Sequence, residues 1–80
     1  MNERDLRYIV AIAREGNIQK AAAAMDKNAS SLSRCIKRVE GELKIVLFQR
    51  TPAGLVPTPE GEAYVKTAKR ILSLYDGLKG

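Results

Sequence analysis

One amphipathic segment, NASSLSRCIKRVEGEL at residues 28–43, places the tightest limit on how this chain can fold. Wound as an α-helix at about 100° per residue, the segment gathers four apolar side chains into one stripe. These are Leu32, Ile36, Val39 and Leu43, with Cys35 at the edge of the stripe. A stripe of this kind has to be buried against other elements of the chain. The segment therefore predicts a helix that packs one face on a small core and leaves the other face free.

The opposite face of this helix carries small hydroxyl side chains between cations. It gathers Ser30, Ser33, Arg34 and Lys37, flanked by Arg38. A solvated helix face normally mixes acids with lysines, whereas acids enter here only toward the end of the segment. Short hydroxyl side chains let a helix approach base edges closely, and Arg and Lys reach guanine acceptors or phosphates. The pattern is typical of a helix that contacts DNA.

Length and charge narrow the class of protein. A chain of 80 residues forms at most one small domain, and such a domain buries only about 60–65% of its unfolded surface, so a deep enzymatic cleft is hard to build. The net charge of +5 and the pI of about 9.7 favour a polyanionic partner, most often nucleic acid and less often an anionic membrane.

The sequence is also poor in the residues that most often carry catalysis or bind metals. It has no histidine and a single cysteine, so it lacks the commonest general base, the commonest zinc ligand and an internal disulfide. We expect no catalytic residue, no metal site, no cofactor and no enzymatic activity. A lone cysteine and the lack of a long apolar run predict a cytoplasmic protein without a membrane partner.

The segments before residue 28 predict two further helices. Asn2 can cap a first helix that Gly16 ends, and Asn17 can cap a short second helix from Ile18 to Met25. A short turn and a further cap, Asn28, then lead into the amphipathic segment. Two helices joined by such a turn have the layout of a helix-turn-helix, whose second helix enters a DNA major groove. An ordinary helical hairpin within a bundle is the alternative.

The region after Leu43 predicts a small β-hairpin. Short β-like runs at residues 47–51 and 55–57 flank the turn Pro52-Ala53-Gly54. A hairpin that follows a helix-turn-helix is a wing, from which Arg50 could reach a phosphate or the minor groove. A surface loop with a solvated arginine is the alternative.

The last segment predicts a helix that Thr58 caps and that runs to about Asp76. Five of its apolar residues follow the 4, 3, 4, 3 spacing of a coiled-coil seam and predict a dimer interface: Tyr64, Ala68, Ile71, Tyr75 and Leu78. A second set, Val65 and Leu72, can face the body of the domain. The alternative is one wide stripe packed on the chain's own core.

With its predicted elements in this order and spacing, the sequence resembles the DNA-binding domain of LysR-type bacterial transcriptional regulators over nearly its whole length. The resemblance is carried by residues 17–22 (NIQKAA), 30–36 (SSLSRCI), 39–43 (VEGEL), 47–50 (LFQR) and 54–61 (GLVPTPEG). It implies a mainly α fold with a small β-hairpin, a winged helix-turn-helix at residues 1–57 followed by a linker and dimerisation helix at 58–80. It also implies that the family's ligand-sensing domain, and with it a small-molecule ligand, is absent from this chain.

The residues assigned to DNA contact fall into two sets, placed with the help of this resemblance. We expect base readout from the recognition helix, residues 29–42, through Ala29, Ser30, Ser33 and Arg34. We expect phosphate and wing contacts from Asn17, Lys20, Asn28, Lys37, Arg38, Arg50 and Thr51. The sequence departs from the family where Ala29 replaces a common glutamine and where Lys44 replaces a usual glycine. Ala29 can then offer only a methyl group to thymine, and Lys44 must adopt or avoid a left-handed conformation.

The function predicted from these features is sequence-specific binding of double-stranded DNA as a homodimer, in a transcription regulator. The alternative is a winged-helix module for protein interaction or dimerisation that does not read DNA. RNA binding is a further alternative.

Overall fold

The computed structural model describes residues 1–79 as four helices and a two-stranded hairpin. In chain order these are α1 (Glu3–Glu15), α2 (Ile18–Ala24), α3 (Ala29–Leu43), β1 (Phe48–Thr51), β2 (Gly54–Pro57) and α4 (Pro59–Lys79). The strands pair antiparallel, with Phe48 opposite Pro57 and Thr51 opposite Gly54. The predicted fold class, mainly α with a small β-hairpin after a helix-turn-helix, is confirmed.

Three asparagines begin the first three helices, as the sequence predicts. The side-chain oxygens of Asn2, Asn17 and Asn28 each accept a hydrogen bond from the backbone amide three residues further on, at 3.0, 2.9 and 2.9 Å. Gly16 ends α1 in the left-handed conformation, with φ of 68°. Such caps satisfy backbone groups that a helix end otherwise leaves unpaired, so the boundaries of α1 and the starts of α2 and α3 are fixed locally.

The core lies where α1, α2 and α3 meet the start of the hairpin. Its fully buried members include Ile9, Ile12, Leu32, Val39 and Leu47. Three members of the predicted stripe of α3 are confirmed as facing this core, although Ile36 is only half-buried. The fourth, Leu43, departs from the prediction because it is 40% exposed. It is the last residue of α3, and the chain turns away at Lys44 with φ of 57°.

Helix α4 packs along α1 and is longer than the predicted end at Asp76. The hydroxyl of Thr58 accepts a hydrogen bond from the amide of Gly61 at 2.9 Å and so caps the helix start. Val65 and Leu72 face the body, as predicted. No helix within residues 1–79 is both long enough and apolar enough to span a membrane.

Part of the predicted seam of α4 packs inside the chain. Ala68 is 1% exposed and lies in a small cluster with Leu6 and Leu72, against which Tyr64 and Ile71 also pack. The structure therefore differs from the prediction that Ala68 lies in a dimer interface, because α1 already covers its side chain. The spacing of a seam does not distinguish packing on a neighbouring helix from packing on a second subunit.

Candidate nucleic-acid interface

The four side chains predicted to read bases lie together along the outer side of α3. Ser30 and Arg34 are exposed, whereas Ala29 and Ser33 are half-buried at the edge facing α2 and the hairpin. The buried stripe on the other side of the helix fixes this orientation, since rotating α3 would expose Leu32 and Val39. The structure therefore places these residues on one accessible face, at the N-terminal half of the helix.

A surface depression of about 390 Å³ joins this face to α2 and the hairpin. It brings together six predicted contact residues from three elements: Asn17, Ala29, Ser30, Ser33, Arg50 and Thr51. Lys37 and Arg50 line a second, neighbouring depression with Ser33. The predicted wing and recognition helix thus line the same two neighbouring depressions.

Two of the predicted phosphate contacts serve first as helix caps. The side-chain oxygens of Asn17 and Asn28 are engaged by backbone amides, so only the NH₂ group of each side chain remains available as a donor. Lys20 is exposed on α2. A donor at Asn17 and a cation at Lys20 suit a phosphate near the start of α2.

Thr51 has a structural role at the tip of the hairpin. Its hydroxyl donates a hydrogen bond to the carbonyl of Gly54 at 2.8 Å and accepts one from the amide of Ala53 at 3.2 Å. The residue closes the turn, and both of these bonds orient its hydroxyl toward the hairpin itself. Arg50, one residue earlier, is exposed.

Arg38 differs from the other predicted phosphate contacts because it binds a buried acid. Its guanidinium donates a short, 2.5 Å hydrogen bond to Oδ1 of Asp5, a carboxylate that is 1% exposed. This hydrogen bond raises the pKa of Arg38. Asp5 lies in the first turn of α1, so its carboxylate joins α1 to α3.

Cys35 lies beside this ion pair and is fully buried. Its thiol lies 3.5 Å from Oδ1 of Asp5. Burial, together with the nearby carboxylate, raises the pKa of the Cys35 thiol to about 12. A protonated thiol is a poor nucleophile, and within residues 1–79 no cluster of three His, Cys, Asp or Glu side chains is placed to hold a metal ion.

The charges of the interface are mostly uncompensated cations. Across the described part of the chain, no carboxylate lies within 4.0 Å of four of the predicted contact residues: Lys20, Arg34, Lys37 and Arg50. Glu3 and Asp76, for example, pair with Arg7, away from this interface. A surface with unpaired cations attracts a polyanion.

Sequence reasoning missed two residues of this surface, Gln19 and Arg4. Gln19 lines the larger depression beside Asn17, and its place in the first turn of α2 was a signal that could have identified it. Arg4 lies at the start of α1 and reaches α3, lining a depression with Arg34 and Arg38. No sequence pattern indicates that contact, because it depends on how α1 packs against α3.

The end of α4 leaves apolar side chains without cover. Leu78 is 87% exposed, Leu74 is 72% exposed and Tyr75 is 38% exposed. They follow the half-buried Ile71 along one side of the helix. Of the predicted seam, the last two positions are therefore accessible, and the sequence-based set omitted Leu74.

Comparison with known proteins points to one family. Residues 3–62 match the family described as bacterial regulatory helix-turn-helix protein, lysR family. The chain is 43% identical over 76 residues to the HTH-type transcriptional regulator BudR of Klebsiella aerogenes, which covers 95% of this chain and 53% of BudR. It spans about half the length of BudR and about a quarter of other relatives, such as YofA of Bacillus velezensis (26%).

Solved structures agree in fold over nearly the whole chain. The CbnR DBD–DNA complex superposes with a TM-score of 0.92 at 32% identity, covering 99% of this chain and 91% of that one. The BenM DBD/catB site 1 DNA complex superposes with a TM-score of 0.93 at 37% identity, covering 98% and 88%. With the family match over residues 3–62, these likenesses show that the chain belongs to the lysR family of bacterial regulatory helix-turn-helix proteins.

Proposed function

We propose that this domain binds double-stranded DNA in a sequence-specific manner, with α3 in the major groove. The observation that carries the proposal is the joint surface of α3, α2 and the hairpin, where Ser30, Ser33 and Arg50 line one depression. Similar domains of CbnR and BenM were crystallised as DNA complexes.

In this proposal the outer side of α3 distinguishes bases. Arg34 is exposed and has the fork of donors that pairs with guanine O6 and N7, whereas Ser30 and Ser33 are short enough to let the helix approach the base edges. Ala29 is half-buried at the start of α3 and offers a methyl group to thymine.

Phosphate contacts supply much of the affinity in this proposal. Lys20 on α2, Lys37 on α3 and Arg50 on the hairpin are exposed cations around the same surface. Each phosphate that such a cation neutralises releases a counterion. Each contact therefore steepens the fall of log affinity with log salt concentration by about 0.9. Several contacts therefore produce a steep salt dependence.

A homodimer formed through the end of α4 is part of the proposal. Leu74, Tyr75 and Leu78 follow Ile71 at helical spacing and expose a connected apolar strip. Water contact of such a strip is unfavourable by about 25 cal/mol for each Å² of apolar surface. Pairing of two α4 ends would remove these side chains from water.

The role of the longer protein is also proposed. Because BudR and YofA are described as transcriptional regulators and are longer than this chain, we propose that the domain belongs to a regulator of transcription. Its work is binding rather than catalysis. The cytoplasm, where bacterial DNA lies, is the proposed compartment.

A titration against two duplexes at two salt concentrations tests DNA reading. One duplex is an inverted repeat selected by the domain from random DNA, and the other is its scrambled copy, each measured at about 50 and about 200 mM salt. We expect tighter binding of the selected duplex and a steep loss with salt for both. Equal binding of both would contradict base readout, and no binding by a folded domain would favour the protein-interaction module. Competition between duplex DNA and RNA tests the remaining alternative, RNA binding.

Sedimentation equilibrium tests the dimer. Leu78→Glu is expected to weaken self-association at least tenfold, because it places a charge in the strip, while the matched change Ser73→Glu, an exposed position of the same helix, leaves it unaltered. A wild-type domain that stays monomeric at high concentration, or a Leu78→Glu variant that dimerises normally, would contradict this part of the proposal.

A further inference from the structure

A separate depression of about 140 Å³ lies on the α1 side of α3, apart from the one that α2 and the hairpin line. Three arginines from two helices line it, Arg4 from α1 and Arg34 and Arg38 from α3, together with Tyr8 and Ser31. The depression has room for several water molecules or for a small group such as one phosphate. Arg34 belongs both to this depression and to the outer face of α3.

The charges in the depression do not cancel. Arg38 is paired with Asp5, whereas within residues 1–79 no carboxylate lies within 4.0 Å of Arg4 or Arg34. One carboxylate therefore stands against three guanidinium groups. Like charges at close range repel one another, and an anion bound among them would relieve that repulsion.

A buried carboxylate holds part of this cluster in place. Asp5 is 1% exposed, and its Oδ1 accepts the hydrogen bond from Arg38, while its Oδ2 has no hydrogen-bond partner among the described residues. Because a buried carboxylate is stable only when paired, Arg38 is fixed beside α1 rather than free in solvent. Asp5 is thus a positioning residue for the arginine next to the depression.

We propose that Arg4 and Arg38, beside the base-reading Arg34, form a binding site for one phosphate of the DNA backbone, on the strand opposite to the one that α2 and the hairpin contact. This inference rests on the proposed DNA binding. A helix in the major groove has a phosphate strand on each side. Helix α3 separates the two depressions, with Ser30 and Ser33 lining one and Ser31 and Arg34 lining the other. Guanidinium forks match phosphate oxygens in pairs.

The test uses Arg4→Gln, since Arg4 is exposed and lies outside the core. We expect this variant to bind the selected and the scrambled duplex more weakly by the same factor. Its logarithmic salt slope should be smaller by about 0.9, so that between about 50 and about 200 mM salt its affinity falls about 3.5-fold less than that of the wild type. Arg70→Gln, which removes the same charge from an exposed position on α4, should bind like the wild type.

A duplex scan locates the phosphate. Neutral methylphosphonate linkages are placed one at a time, and we expect one linkage on the opposite strand of each half-site to weaken the wild-type domain but not Arg4→Gln. Loss of affinity at that linkage in both proteins would overturn the proposal. So would an Arg4→Gln variant with wild-type affinity and salt slope, in a titration where Lys37→Gln weakens binding.

Two further outcomes separate this site from its rivals. Wild-type protein that binds no duplex would overturn DNA binding and this site together. Normal binding by the wild type, with the same affinity and salt slope for Arg4→Gln, would overturn the site alone.

Inorganic phosphate is titrated into the wild type and into Arg4→Gln, and binding is followed by amide NMR shifts. Saturable phosphate binding that Arg4→Gln abolishes, without any change in DNA affinity, would assign the site to a small anion and overturn the DNA strand as its ligand.

Discussion

The backbone amide of Leu55 donates a hydrogen bond to the carbonyl oxygen of Gly16, with 2.9 Å between the two atoms. This bond ties the second strand of the hairpin to the junction between α1 and α2. The neighbouring Gly54 approaches so closely that a Cβ there would lie 2.5 Å from the same oxygen. The hairpin is therefore held against the helix-turn-helix by backbone contacts, and Arg50 and Asn17 face one depression.

Arg34 and Lys37 are expected to differ in what their loss does to DNA binding. Arg34→Ala should weaken the selected duplex by about 1–3 kcal/mol and relax discrimination at one base step. Lys37→Ala should weaken selected and scrambled duplexes alike, because a phosphate contact carries no sequence information. Titrations of both variants against single-base variants of the selected duplex measure the difference. If Arg34→Ala weakened every duplex equally, Arg34 would be a phosphate contact only.

Gly61 is expected to tolerate no side chain. A Cβ at this position would lie 1.9 Å from the carbonyl oxygen of Leu47, which is backbone and cannot move aside alone. We expect Gly61→Ala to lower the free energy of unfolding by about 3 kcal/mol, measured by urea denaturation. Gly41→Ala is the control, since nothing lies within 4 Å of its Cβ position in α3. That change should raise stability by about 0.5–1 kcal/mol, and destabilisation of both variants alike would contradict the steric argument.

Lys44 is expected to be a weak point of the fold. It ends α3 in the left-handed conformation with φ of 57° and ψ of 44°, which costs a residue with a side chain about 1 kcal/mol. Lys44→Gly should therefore raise the melting temperature by a few degrees. The same replacement inside α4, Lys69→Gly, should lower it, because glycine weakens a helix interior. A lower melting temperature for Lys44→Gly would show that the lysine side chain stabilises the turn.

Cys35 is expected to resist thiol reagents while the domain is folded. Its side chain is fully buried and its pKa is raised from 9.0 to about 12. At pH 8 labelling should be slow and should become rapid in denaturant. Because the folded pKa lies above the unfolded one, the stabilising contribution is fully present below pH 9 and is lost as the pH rises toward 12. The free energy of unfolding should fall more steeply over that interval for the wild type than for Cys35→Ala, and parallel curves would contradict the assignment.

The parts of the fold that depend on neighbouring residues could be predicted from the sequence. Asn2, Asn17 and Asn28 mark helix starts because each cap is closed by an amide three residues away. The stripe containing Leu32 and Val39 oriented α3 because helical periodicity decides which face is buried.

The parts that depend on how helices approach one another could not be predicted. Arg4 and Asp5 belong to α1, and only the packing of α1 on α3 brings them to Arg34 and Arg38. Ala68 has the spacing of an intersubunit seam, yet α1 covers it. Spacing along one helix fixes a face but does not identify the surface that covers it.

Helices α1 and α4 are joined at more than one level along their length. Leu6 and Val10 of α1 pack with Ala68 and Leu72 of α4, and nearer the end of α4 Arg7 binds Asp76 and Glu3 binds Lys79, with 3.0 and 3.4 Å between the charged atoms. In the proposed dimer, the path from one α3 to the other then passes through packed helices rather than through a flexible joint. The two α3 helices of the dimer would then be held at a fixed distance and orientation. Each base pair added between the half-sites turns one of them by about 35° around the duplex axis, so this packing would dictate the rotational phasing of the operator.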